Sequence, residues 1–248
     1  MAMVMGAGTR FKRAEPVYVK MNPEWIGIAS LGVPRFGGAM LIYSNTLFTV
    51  GGISRTGVSS AVEKIDLSTM SRSYGSLMPA PRAHFAFGVV GTKLYVLGGL
   101  DRGGMPTNTI FVYDIANKSW STLSVTLPKN IAYSAGAVLG TVIYVIGGID
   151  DQGNILRDTY AFDTSSNTVS TKASMNTARQ NHSCAALGSK IYCFGGDDGS
   201  NPLQSIEAYD PPSNTWSQLA TLLPKGVTGL VALPVVYRNS SYILLIGG

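Results

Sequence analysis

The sequence predicts an all-β chain built from repeated four-stranded antiparallel units. Three observations predict it: a composition of many turns and few charges, a di-glycine recurring at near-constant spacing, and one order of strand and turn signals inside every period. The chain has 248 residues, with 29 Gly, 12 Pro, 2 Cys and 2 His, and its side chains are 45% apolar and 13% charged. A chain this apolar is not disordered, and it is long enough to bury a core. Two Cys cannot frame a disulfide scaffold, and two Cys with two His do not easily furnish a zinc cluster. The net charge of +5 is concentrated at the start, where Arg10, Lys12, Arg13 and Lys20 face only Glu15. The remainder is close to neutral, which is not the clustered basic face of a nucleic-acid binder. The longest apolar run is too short to cross a membrane as a helix.

Repetition is the strongest signal. A di-glycine closes an apolar, β-branched run five times, at Gly51-Gly52, Gly98-Gly99, Gly147-Gly148, Gly195-Gly196 and Gly247-Gly248. Successive spacings are 47, 49, 48 and 52 residues. Before each di-glycine lies a second apolar strand, joined to the first by a short polar turn such as GTK at 91–93 or GSK at 188–190, which reads as a hairpin. After it comes a strand ending in an aromatic or apolar residue plus Asp: Ile65-Asp66, Tyr113-Asp114, Phe162-Asp163 and Tyr209-Asp210. A turn rich in Asn and Ser follows, and then a fourth strand. Tyr113 precedes Trp120, and Tyr209 precedes Trp216, by the same seven residues. In the first repeat Tyr74 reads as the counterpart of Trp, displaced by an insertion. Four short strands per period make one propeller blade. The di-glycines fit a backbone that must turn at positive φ, and the Tyr and Trp residues fit as plugs between blades whose polar tips tie loops.

These residues carry a close resemblance. Residues 195–216, GGDDGSNPLQSIEAYDPPSNTW, are similar to the unit of the kelch-repeat β-propellers, and the likeness extends over roughly residues 17–248. Each of Arg35, Arg82 and Arg179 stands 16 residues before a di-glycine; Lys129 and Lys225 are loose stand-ins in the third and fifth repeats.

The expected organisation is a basic leader over 1–16 and a propeller over 17–248, with blades at about 35–78, 82–125, 131–172 and 179–220. Tyr18 and Trp25 repeat the spacing of seven, so residues 17–31 read as two outer strands that complete a fifth blade with inner strands from 228–248. That closes a five-bladed ring; the rival reading is a piece of a six- or seven-bladed one.

Catalytic constellations are not apparent. His84 and His182 are offset by one position relative to their di-glycines, which puts them on opposite strand faces. Cys184 and Cys193 flank a hairpin turn and could face each other across it; the plainer reading is two buried free thiols. No metal or cofactor is expected. What remains is a loop surface. Loops after the di-glycines carry Arg55, Asp101, Arg102, Asp150, Asp151, Asp197 and Asp198, and loops before the inner strands carry Arg35, Arg82, Lys129 and Arg179. A ring of Arg would suit an acidic peptide, because a guanidinium grips carboxylates with two bonds. The alternative is that these Arg pair with nearby Asp and only hold loops. The reading is therefore a cytoplasmic, monomeric, non-catalytic module that binds a protein or acidic peptide through one face, in the manner of an adaptor or scaffold. A carbohydrate-active kelch enzyme, a mutarotase, isomerase or oxidase, is the alternative.

Overall fold

The computed structural model describes residues 3–6 and 31–248, and every regular element among them is a strand. The first is β1 (Met3–Gly6). Blade I consists of β2 (Ala39–Tyr43) and β3 (Thr46–Val50), a small hairpin of β4 (Ile53–Ser54) and β5 (Gly57–Val58), then β6 (Val62–Asp66) and β7 (Arg72–Tyr74). Blade II is β8 (Ala86–Val90), β9 (Lys93–Leu97), β10 (Ile110–Asp114) and β11 (Ser119–Thr122). Blade III contains β12 (Ile131–Ala132), β13 (Ala135–Leu139), β14 (Val142–Asp150), β15 (Ile155–Asp163) and β16 (Thr168–Lys172). Blade IV is β17 (Ser183–Leu187), β18 (Lys190–Phe194), β19 (Ile206–Asp210) and β20 (Thr215–Gln218). Finally come β21 (Val231–Tyr237) and β22 (Ser240–Ile246).

Each of blades I, II and IV is an antiparallel meander with its first strand at one edge and its fourth at the other. Neighbouring first strands pack in chain order, β8 on β13, β13 on β17 and β17 on β21, and so line the axis. That approach is close: a Cβ on Gly136 of β13 would stand 2.5 Å from the carbonyl oxygen of Phe87 on β8. Apolar clusters fill the spaces between blades, one joining blades II and III through Tyr95, Val112, Val145 and Phe162, another joining III and IV through Tyr144, Ile146, Met175 and Tyr209.

The di-glycines stitch blade to blade. Gly52, Gly99, Gly148 and Gly196 donate their N–H to the carbonyls of Arg82, Ile131, Arg179 and Val227 in the next blade, at 2.8, 2.7, 2.9 and 2.8 Å. The turn is made at positive φ, +59° at Gly147 and +101° at Gly148. A Cβ on Gly147 would lie 2.5 Å from the Arg179 carbonyl oxygen, so a side chain there collides with the bond that joins the blades.

Three sequence expectations are revised. In blade I the residue opposite Ile65 is Arg72, again seven residues on, so no insertion intervenes; Tyr74 pairs with Glu63 and is exposed. The free-thiol reading gives way to a disulfide: Cys184 and Cys193 face each other directly across β17 and β18, with Cα atoms 4.1 Å apart, and their sulfurs are bonded. Within the stretch assigned to a leader, Met3–Gly6 lies antiparallel along β22, giving a sheet in the order β1-β22-β21. The proposed outer strands at 17–31, with Tyr18 and Trp25, fall outside the described residues except for position 31. The flank residues Met40 and Ile42 of β2 and Val231 and Leu233 of β21 are exposed.

Candidate functional site: the axial mouth

The arginines expected to ring a surface are turned inward instead. Arg179 is fully buried; its guanidinium donates to Glu207 at 2.6 Å, to the Gly195 carbonyl at 2.9 Å and to Ser205 Oγ at 3.0 Å. Arg35 pairs with Glu63 in the same position of blade I, both side chains being almost wholly buried. Arg82 is buried without an acidic partner; it donates to Pro81 O and Thr109 Oγ1, both at 2.8 Å, and lies 4.7 Å over the Phe111 ring. Burial pulls the Arg82 and Arg179 guanidinium pKa values below the ordinary value, with Asp101 and Glu207 respectively opposing it. These side chains are spent inside the blades and are not free for a partner. Arg35 and Arg179 are held by Glu63 and Glu207 on third strands, Arg82 by neutral oxygens, and none of the three by a loop Asp.

A local rule explains which blades use Glu. Glu63, Phe111, Tyr160 and Glu207 are equivalent in register. Three residues before the Arg position of the same blade stand Gly32, Pro79, Pro128 and Asn176. Gly32 and Asn176 donate their backbone N–H to Glu63 and Glu207, each at 2.7 Å. Pro has no N–H to satisfy, and where Pro stands the acceptor is replaced by an aromatic ring.

The acidic loop residues are mostly occupied as well. Asp101 accepts N–H bonds from Gly103 and Met105, Asp150 from Gln152 and Asn154, and Asp198 from Ser200 and Asn201. Those bonds hold the Asp150 and Asp198 carboxyls below the usual carboxylate range; for Asp150, burial opposes them. Asp151 accepts from Asn130 and Gln152, and Asp197 from Gln180, Asn181 and Thr228. Exposed Lys129 pairs with Asp158 at 2.8 Å. Arg55, Arg102 and Lys225 are exposed and make no ion pair among the described residues.

The plugs are arranged alike in blades II and IV. Trp120 faces Tyr113 and donates its indole N–H to Ser76 O at 3.0 Å; Trp216 faces Tyr209 and donates to Ala173 O at 2.9 Å. Both acceptors belong to the segment that leaves the preceding blade, so each indole ties one blade to the last.

Sequence reasoning missed the feature at the centre of the loop face. The carbonyls that the di-glycines reach show that Ile131 and Val227, not Lys129 and Lys225, hold the Arg position in the third and fifth repeats. Two residues after Arg35, Arg82, Ile131, Arg179 and Val227 stand Gly37, His84, Tyr133, Asn181 and Gly229, all at positive φ between 51° and 70°. They form a chain of backbone hydrogen bonds around the axis. His84 N–H donates to Gly37 O at 2.6 Å, Tyr133 to His84 at 2.8 Å, Asn181 to Tyr133 at 3.1 Å and Gly229 to Asn181 at 2.9 Å. Three non-glycine residues in the left-handed region are a strained arrangement of the kind found at functional sites. The conformation turns their side chains to the mouth, where His84 and Tyr133 stack at 4.1 Å and Phe36 meets His84 edge-on at 5.9 Å. Both stacked rings are half-buried, and burial lowers the His84 pKa, keeping the imidazole neutral. The signal was present as Gly and Asn, the residues that best tolerate positive φ, at the first, fourth and fifth places in the series. A cavity of about 430 Å³ lies at the other end of the blades, lined by residues such as Tyr43, Lys64, Asp66 and Lys118.

Among the described residues no helix is long and apolar enough to cross a membrane. A solved structure, "Structure of YjhT", superposes with a TM-score of 0.71 over 87% of this chain and 74% of that one at 18% identity, which is a likeness of fold. Human Kelch-like protein 34 is 32% identical over 218 residues, 81% of this chain and 33% of the relative. Human Kelch-like protein 38 is 30% identical over 211 residues, 82% of this chain and 35% of the relative. The chain thus spans about a third of the length of these curated relatives. The family model described as the KLHDC2/KLHL20/DRC7 Kelch-repeats domain matches residues 84–248. With the blade architecture and the repeated di-glycines, this match places the chain in the kelch-repeat family.

Proposed function

We propose that the chain is a non-catalytic interaction module that receives a segment of a partner protein at the axial mouth. The observation that carries this is the ring of left-handed residues, which holds His84 and Tyr133 stacked and half-exposed on rigid backbone. A pair of stacked rings fixed before binding loses little conformational freedom when a ligand covers it. The rim carries Arg55, Arg102 and Lys225, which suit acidic side chains on the partner. The family membership supports a protein partner; that the module acts as a monomer in the cytoplasm, with no nucleic acid or membrane as partner, is part of the proposal. The enzymatic alternative draws less support. It needs cationic and acidic groups converging on one cavity, and Arg35, Arg82 and Arg179 are occupied within the blades.

The test compares proteins captured by the wild type and by an Arg55→Glu/Arg102→Glu/Lys225→Glu variant, with Lys64→Glu/Lys118→Glu at the other end as control. The rim variant loses a partner that the control retains. Equal capture by both variants contradicts the reading.

A further inference from the structure

One buried cluster has no part in the mouth. His182, just before β17, lies beside Cys184 on β17 and Cys193 on β18, and their ligand-capable atoms are all within 4.8 Å of one another. All three are buried. Neither ring nitrogen of His182 has a hydrogen-bond partner among the described residues. A buried imidazole with two unmet nitrogens is costly unless something else binds it. In blade II the equivalent positions are Phe85, Phe87 and Val96, a set with no donor atom. Blade IV therefore replaces three apolar core residues with three metal-ligand types at one point.

From this geometry we propose that reduction of the Cys184–Cys193 bond opens a buried site for copper(I), ligated by His182, Cys184 and Cys193. The donor set selects the ion. Two soft thiolates favour copper(I), an imidazole nitrogen also suits copper, and the cluster contains no carboxylate. Met175 packs in the same apolar cluster, its methyl group and the His182 Cε1 both crowding the space over Gly147, at 3.0 and 2.8 Å from where a Cβ would be. Zinc takes a Cys2His set only with a fourth ligand, commonly a water, whereas the residues packed around Cys184 and Cys193 are apolar and suit a low-coordinate copper(I).

The chemistry balances. An external dithiol gives two electrons and two protons to the S–S bond, yielding two thiols, and itself closes to a cyclic disulfide. Copper(I) then binds two thiolates and one imidazole nitrogen; two protons leave to solvent and the copper does not change oxidation state.

The experiment uses the full chain under anaerobic conditions, oxidised or reduced with dithiothreitol and desalted, and titrated against the copper(I)–bicinchoninate complex. The reduced protein withdraws one copper per chain and the oxidised protein none, and X-ray absorption records sulfur and nitrogen neighbours. His182→Phe loses the nitrogen signal and binds more weakly. The His182→Phe/Cys184→Phe/Cys193→Val variant, which installs the blade II set and so has a precedent for packing, takes none while keeping its β-sheet circular dichroism. The proposal is overturned if reduced and oxidised protein take equal copper, if the triple variant binds like the wild type, or if the reduced chain holds zinc and not copper(I). Loss of the sheet signal on reduction alone also overturns it, because the site needs the intact hairpin.

Discussion

Glu207→Gln removes one negative charge from the interior of blade IV. Glu207 and Arg179 are both fully buried and 2.6 Å apart, and Glu207 also accepts N–H bonds from Asn176 at 2.7 Å and Thr177 at 3.0 Å. The substitution leaves the guanidinium uncompensated where water cannot reach, and it offers an amide donor where backbone donors already converge. Breaking a buried pair from one side costs about 3–5 kcal/mol. In a domain of this size that corresponds to a fall in Tm of roughly 6–20 °C. The register equivalence supplies a sharper form. Blade III fills the same positions with Pro128, Ile131 and Tyr160. An Asn176→Pro/Arg179→Ile/Glu207→Tyr variant imports that set, leaves no charge buried, and costs less than Glu207→Gln alone. Differential scanning calorimetry on the three proteins decides it. A Glu207→Gln variant within about 1 kcal/mol of wild type would refute the reasoning that this pair is a desolvated, one-sided liability.

Gly147→Ala meets the Arg179 carbonyl at 2.5 Å at a φ of +59°, whereas Gly153→Ala at φ +84° meets open space. Urea denaturation should show Gly153→Ala losing about 1 kcal/mol and Gly147→Ala clearly more; equal losses contradict the stitching role of the di-glycine. Trp216→Phe deletes the N–H donated to Ala173 O at 2.9 Å and should cost about 1–3 kcal/mol in the same assay, against no loss if the indole only fills space. His182 has its pKa pushed down to about 3, first by burial and then by the charge of Arg179. Its unfolded value is about 6.5, so between those limits the unfolded chain binds the extra proton, and this contribution to stability is lost as pH falls. Denaturation measured from pH 7 to pH 4 should show a flatter decline for His182→Phe than for wild type, and parallel curves would contradict burial of a neutral imidazole.

The blade framework was legible because its signals are backbone demands. A di-glycine at positive φ, an Asp accepting N–H bonds in the turn after the third strand, and an aromatic seven residues before its partner all recur at fixed positions. The Asp66, Asp114 and Asp163 carboxyls take the N–H groups of Ser68, Asn117 and Ser165, so turn chemistry at these sites follows from residue type. The arginines were less legible. Their spacing was visible, but whether a guanidinium points out or in depends on a Glu 28 residues later in sequence, as with Arg35 and Glu63 or Arg179 and Glu207. The correlated Pro or non-Pro at 32, 79, 128 and 176 was readable in principle. The mouth was hidden because Tyr133 and His84 share a conformation with Gly37 and Gly229 but no chemistry. The disulfide turned on register, since only direct opposition of Cys184 and Cys193 makes bonding rather than mere proximity possible.

The central claim, that a partner protein is received at the axial mouth, is tested most directly by site-specific photocrosslinking. Arg102 lies in the loop beyond Leu97 at the mouth end of blade II, and exposed Ala116 lies beyond Asp114 at the far end, where Asp114 pairs with Lys93. A benzophenone side chain at position 102 should capture a partner that is lost when Arg55 and Lys225 are reversed to Glu. The same group at position 116 should capture none of it. Capture of that partner from 116, or from both ends alike, would contradict the account.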